Sequence, residues 1–295
     1  MRSLAKELLK GAVDFHYHGW PEISLDLTCS CEDEENITLA RDSGLRGIVV
    51  KSHFWPTMDK VFYLRQRIEG IDIFSSITLN GIAGGVCGYA VEAAARQGAK
   101  VVWFPTWNAR HDMEKPGFLH FVKDNLVSAN GLNPRDGIEV CIDGRLSPGA
   151  CEVLEVAQRY DLAVSTGHIS PRESLAIARE AKARGLNRLV FGHPIIPLVD
   201  ADMESMKEFI RYGGLVEFTF LPTLPYGQKI SIARIADTIR ELGAENCIMS
   251  SDHFYEWSPP ECEMMRMFVS CLLEQGIAPE EITTMIVDNP VRLLN

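Results

Sequence analysis

The residues in this chain best suited to chemistry are its histidines and the acids beside them. Val13-Asp14-Phe15-His16-Tyr17-His18 sets two imidazoles two residues apart. On a β-strand alternate side chains share a face, so Asp14, His16 and His18 are expected to point together. Two imidazoles so spaced can grip one cation from one side, with Asp14 as orienter or as anchor below. Without a partner, inward histidines would be costly to bury.

Val164-Ser165-Thr166-Gly167-His168 and Leu189-Val190-Phe191-Gly192-His193 each place a histidine just past a glycine, which lets backbone approach a ligand closely. Each is a candidate metal ligand or catalytic group; the plainer role is that of a loop or capping residue. In Ser251-Asp252-His253, the Asp252 carboxylate can coordinate a metal and also take a proton from the water bound to it. Its plainer role is a turn cap.

Lys51 and His53 share one face of another strand end. Lys51 can act as substrate clamp, catalytic group or carbamylated metal ligand, or stay solvated at a rim; His53 can be a further ligand or a substrate contact. Glu217 sits in the apolar run Leu215-Val216-Glu217-Phe218 and needs a partner if it faces inward, either beside a metal ligand or in a salt bridge. Weaker candidates for substrate contact are Trp103, Trp107, Arg110, His111 and His253. His120 lies on a helical-looking stretch and reads as structural.

Elements must position these groups. Short apolar, β-branched runs predict eight strands: Gly11–His18, Gly47–Ser52, Ile71–Leu79, Lys100–Pro105, Leu162–Gly167, Arg188–Gly192, Gly214–Phe220 and Asn246–Ser251. Helical patterns alternate with them, several opened by Ser-Pro at 147–148 and 170–171 and closed by Gly185, Gly213 or Gly243. Six of the eight histidines fall at or just past a strand's C-terminal end, the face where (β/α)₈ barrels do chemistry. The expected fold is α/β: one (β/α)₈ TIM barrel over residues 1–295. Residues 107–146 read as an insertion after strand four, over the C-terminal face, and extra C-terminal helices follow Pro260.

Composition limits the partners. Of 295 residues 46% are hydrophobic, and a barrel of about 250 residues would use nearly all of them. Twenty-nine Lys+Arg against 40 Asp+Glu give a net charge of −11, which repels nucleic acid. No stretch nears the roughly 18 to 20 apolar residues of a membrane helix, and the first ten residues form a short amphipathic helix rather than a signal peptide. The eight cysteines are therefore expected to be reduced, in a cytoplasmic protein. Cys29 and Cys31 lack the second close pair of a zinc ribbon. A small-molecule substrate is expected, with an anionic group that Lys51, Arg110 or Arg145 would meet; a homo-oligomer is left open.

These residues resemble the amidohydrolase superfamily. Its members share a (β/α)₈ barrel and a first-strand Asp-x-His-x-His, matched by Asp14, His16 and His18. A histidine after strand five, another after strand six and an aspartate after strand eight are matched in order by His168, His193 and Asp252. Asp288-Asn289-Pro290-Val291-Arg292-Leu293 is similar to a segment often found near the end of such enzymes. The resemblance implies hydrolysis of an amide, ester, lactone or phosphoester by metal-activated water, with Asp252 as the base. It also implies a first metal on His16, His18 and Asp252. His168 and His193 would hold a second, or one would ligate while the other polarises the substrate. Val101–Thr106 of strand four offers neither the Lys nor the Glu that bridges two metals in many members, so one metal is favoured unless Lys51 bridges. Zinc is the default, with Mn, Fe or Ni as alternatives. A metal-dependent lyase, such as a decarboxylase, and a non-enzymatic metal- or ligand-binding protein are the rival readings.

Overall fold

The computed structural model describes residues 4–115, 136–227 and 229–295. Eight parallel strands run β1 (Val13–His18), β2 (Gly47–Lys51), β3 (Asp72–Thr78), β4 (Ala99–Trp103), β5 (Ala163–Ser165), β6 (Leu189–Phe191), β7 (Leu215–Thr219) and β8 (Cys247–Ser250). Sheet order equals chain order, with helices between successive strands, which is the (β/α)₈ TIM-barrel class. All eight strands match the expected runs, each within two residues. The flanking glycines drop out at the ends because they turn the chain rather than extend it; Gly11, for instance, has φ +82°.

The chain divides into two compact units. One comprises Met1–Ser52, Pro56–Ser76 and Val216–Asn295. Here β1 pairs with β2, β2 with β3, and β7 with β8. The end of β8 returns to β1 through a parallel bridge between Tyr17 and His253. His18 N–H donates to His253 O at 3.1 Å, and Asp252 N–H to His16 O at 2.9 Å. Phe15, Tyr17, Ile48, Val50, Met249 and Phe268 are fully buried in this unit's core. Helices Glu261–Glu274 and Pro279–Thr283, the latter continued to Leu294, are the expected C-terminal additions.

The other unit comprises His53–Trp55 and Ile77–Leu215, with β4, β5 and β6 paired in parallel. The Ser-Pro starts behave as anticipated. Ser147 accepts from Ala150 N–H, and Ser170 forms a reciprocal capping box with Glu173 before helix Pro171–Arg184. After β4 come a short helix, Arg110–Met113, a bridge between Ala109 and Ile138, and a hairpin of Cys141–Ile142 with Arg145–Leu146. Residues 116–135 of the expected insertion, His120 among them, lie outside the described residues.

Candidate metal centre

Within the first unit, β1 and the turn after β8 bring three ligand atoms together. His16 Nε2 and His18 Nε2 are 3.3 Å apart, and Asp252 Oδ1 lies 3.2 Å from the first and 3.4 Å from the second. Metal–nitrogen bonds of about 2.1 Å in tetrahedral array would separate ligand atoms by about 3.4 Å. The spacing of the trio therefore suits a divalent cation, and two imidazoles with one carboxylate are donors such an ion takes. These residues form a possible metal-holding group.

Carboxylates stand behind both imidazoles, and one of them is hydrogen-bonded to His16. His16 Nδ1 faces Glu217 Oε1 at 3.3 Å, and that oxygen accepts Ser250 Oγ–H at 2.9 Å. Glu22 Oε1 lies 3.4 Å from His18 Nδ1. The Glu217 carboxylate keeps the proton on His16 Nδ1 and leaves that ring's Nε2 lone pair for a cation, while Glu22 adds negative charge beside His18. Phe254 packs edge-on against His18, with ring centroids 5.1 Å apart.

Charge also favours a cation. Glu22, Glu217 and Asp252 are all less than a tenth exposed, and the nearby buried cation is Lys51. Burial pushes the Lys51 ammonium below its ordinary pKa, partly opposed by Asp252, Glu217 and Glu22. Its Nζ lies 2.8 Å from His16 Nε2, so a lysine and a metal ion would draw on the same lone pair.

Asp14 departs from simple alternation. The register of β1 against β2 shifts between Asp14 and Tyr17, so one face does not carry across that stretch. The Asp14 carboxylate goes instead to His16 N–H at 3.1 Å, Ser251 N–H at 3.0 Å and the Ser251 hydroxyl. It is the anchor of the two expected roles. Burial raises its pKa to about 6, against those donors. Glu261 beside it is pushed well above the carboxylate range by burial and then by Asp14.

His253 does not join the ligand trio. It stacks on Tyr17, and its Nε2 meets Ser30 Oγ at 3.2 Å and Asn36 Nδ2 at 3.4 Å. Burial lowers its pKa to about 4, so the ring is neutral. The ring expected to contact substrate is fully buried.

The second unit has its own histidine cluster. Ring centroids of His168 and His193 are 4.9 Å apart, and those of His53 and His168 6.0 Å. His168 Nδ1 lies 2.5 Å from Asp112 Oδ2, whose pKa burial raises to about 7. His53 Nδ1 meets Thr106 Oγ1 at 2.7 Å. Gly167 is required before His168: its φ is +60°, and an added Cβ would lie 2.3 Å from Phe104 O. His193 and Asp252 themselves take positive φ, +27° and +54°, a strain kept where structure overdetermines it.

The weaker candidates are otherwise engaged. Arg110 pairs with Glu139 at 2.7 Å, and His111 Nε2 lies 2.9 Å from Val199 O. Trp103 is buried, and Trp107 stacks on Phe54. Sequence reasoning missed Glu22, Asp112 and Glu261. Asp112 adjoined the flagged His111, and Glu22 stands four residues after His18; Glu261, opening a distant helix, carried no signal.

Solved structures share the fold at low identity. An amidohydrolase from Pseudomonas aeruginosa aligns with TM-score 0.68 and 13% identity over 98% of each chain. The probable dipeptidase PvdM from the same organism gives 0.65 and 14%, over 98% of this chain and 96% of that one. An organophosphorus hydrolase from Deinococcus radiodurans gives 0.57 and 15%, over 99% and 94%. No curated protein matches the sequence. One family model matches residues 11–217; it describes a family of unknown function.

Proposed function

The chain belongs to that family, DUF6282, and we propose that it is a metal-dependent hydrolase centred on His16, His18 and Asp252. The observation that carries this reading is the convergence of three ligand atoms at 3.2–3.4 Å, with a carboxylate behind each imidazole. The amidohydrolase-type fold supports it at the level of class.

A divalent ion held there would supply Lewis acidity and lower the pKa of water from roughly 15.7 to about 7. The rest falls to the protein. Glu217 and Glu22 fix the rings, and Asp252 accepts the proton of the attacking water and returns it to the leaving group. Lys51 neutralises charge that builds on the substrate. His168 and His193 stay in the proposal as ligands or as the groups that polarise the scissile bond. Zinc is the metal of choice for this donor set, as one ion. The substrate is a small molecule with an amide, ester, lactone or phosphoester bond.

We place the enzyme in the cytoplasm, which the eight free cysteines support. Among the described residues no helix is long and apolar enough to cross a membrane.

The test has two arms. Elemental analysis of purified protein should find zinc in the wild type, less in His16→Ala, and should decide the roles of His168 and His193 from their alanine variants. Turnover of a panel of the four bond types in ¹⁸O-water should label the product. Release of CO₂ without label would replace hydrolysis by the lyase reading, and full metal occupancy in His16→Ala would remove the assigned ligands.

A further inference from the structure

Phe254, Tyr255 and Trp257 follow Asp252 in the loop after β8, and Tyr226 lies in the loop after β7; both loops belong to the first unit. Their rings form a continuous series that begins at a candidate ligand. Phe254 is buried edge-on against His18, with centroids 5.1 Å apart, and Tyr255 meets Phe254 at 4.4 Å. Trp257 stacks on Tyr255 at 4.0 Å and 19°, and Tyr226 packs against Trp257. Exposure rises outward: Phe254 is 8% exposed, Tyr226 41% and Trp257 45%. Single exposed rings are ordinary. Adjoining ones at the C-terminal ends of barrel strands stand where ligands bind.

The series is also held in place. From the loop after β1, Cys29 Sγ–H donates to Phe254 O at 2.9 Å and Thr28 Oγ1–H to Glu256 Oε2 at 2.6 Å. Tyr226 O–H donates to Trp257 O at 3.3 Å, and Ser258 N–H to Tyr255 O at 3.0 Å. Rings fixed in this way lose little freedom when a flat group settles on them, which is what preorganisation adds to binding. Ring-on-ring contact also rewards an aromatic partner beyond the area it buries.

We propose that Trp257 and Tyr226 determine specificity: they take a flat aromatic group of the substrate while its scissile bond lies at His16, His18 and Asp252. The substrate class is then aryl-bearing amides or esters rather than small aliphatic ones. The inference rests on the metal reading above.

Calorimetric titration of the zinc-loaded full chain tests it with three hydroxamates that share one zinc-binding head. They are phenylpropanohydroxamate, cyclohexylpropanohydroxamate and acetohydroxamate. Wild type should bind the phenyl compound about 3- to 10-fold more tightly than the cyclohexyl one, the worth of an aromatic pair. Trp257→Ala should erase that preference and leave acetohydroxamate within about twofold of wild type. Trp257→Phe, which keeps a ring, should retain part of it. If Trp257→Ala does not fold by circular dichroism, Tyr226→Leu carries the same expectation of loss. No preference in zinc-loaded wild type overturns the proposal, as does a preference that survives in the variant. Equal weakening of all three ligands overturns it too, since the ring would then be shaping the metal centre. Wild type without zinc by elemental analysis sinks the metal reading and this inference with it, a result told apart before any hydroxamate is added.

Discussion

Glu217 Oε1 stands 3.3 Å from His16 Nδ1, and this one approach decides which nitrogen of His16 is offered to a cation. With the proton held on Nδ1, Nε2 turns toward His18 and Asp252. Glu217 lies in the middle of β7, so the orienting group comes from the strand beside the one that leads to Asp252.

Glu217→Gln is expected to weaken zinc binding by about 10- to 100-fold while the protein stays folded. An amide can present N–H to Nδ1 and favour the wrong tautomer. Chelator competition gives the affinity and circular dichroism the fold; unchanged affinity would show that Glu217 does not orient His16.

Asp252→Asn should cut turnover by about 10²- to 10⁴-fold, the usual worth of a general base. Because Asp252 N–H still donates to His16 O, melting should move by only a few degrees. Wild-type kcat in this variant would take Asp252 out of the proton transfer.

Gly167→Ala should destabilise the protein by about 2 kcal/mol or more, since left-handed backbone alone costs about 1–2 kcal/mol for a residue with Cβ. The new methyl would also collide with Phe104 O, which belongs to rigid backbone. Urea unfolding measures the loss, and a change below about 0.5 kcal/mol would contradict the geometry.

The N-cap Asp202 gives a pH-dependent prediction. Hydrogen bonds from Ser205 hold its carboxyl below the usual pKa of 3.8. The folded state thus prefers the ionised form, so its contribution is complete above pH 3.8 and is lost as pH falls through the lower folded value. Asp202→Ala should cost about 1 kcal/mol at pH 7. The gap from wild type should shrink near pH 3; an equal gap at both pH values would argue against a charged cap.

Much of the fold could be read in advance because short apolar runs alternate with helical patterns, several of them opened by Ser-Pro or closed by glycine. Ser170-Pro171-Arg172-Glu173 spells its own capping box. The spacing of His16 and His18 was equally plain. What could not be read were partners separated by hundreds of residues: Glu22 and Glu261 belong to a loop and a helix whose local pattern says nothing of β1. Asp14 could be read as an orienter or anchor, but its partner Ser251 lies too far off in sequence to be named in advance. Arg110, His111 and His253 are polar groups near strand ends, and nothing local distinguishes those that face a substrate from those satisfied by Glu139, Val199 or Asn36.

The bridge from Tyr17 to His253 joins two segments far apart along the chain. His16 and His18 are synthesised well before Asp252, so a nascent chain that lacks β8 does not have the three candidate ligands together. Long loop closure is slow to be rewarded. On the proposed metal reading, capture of an ion would follow the meeting of β1 and β8 in biosynthesis, and a chain that stalls before β8 would hold none.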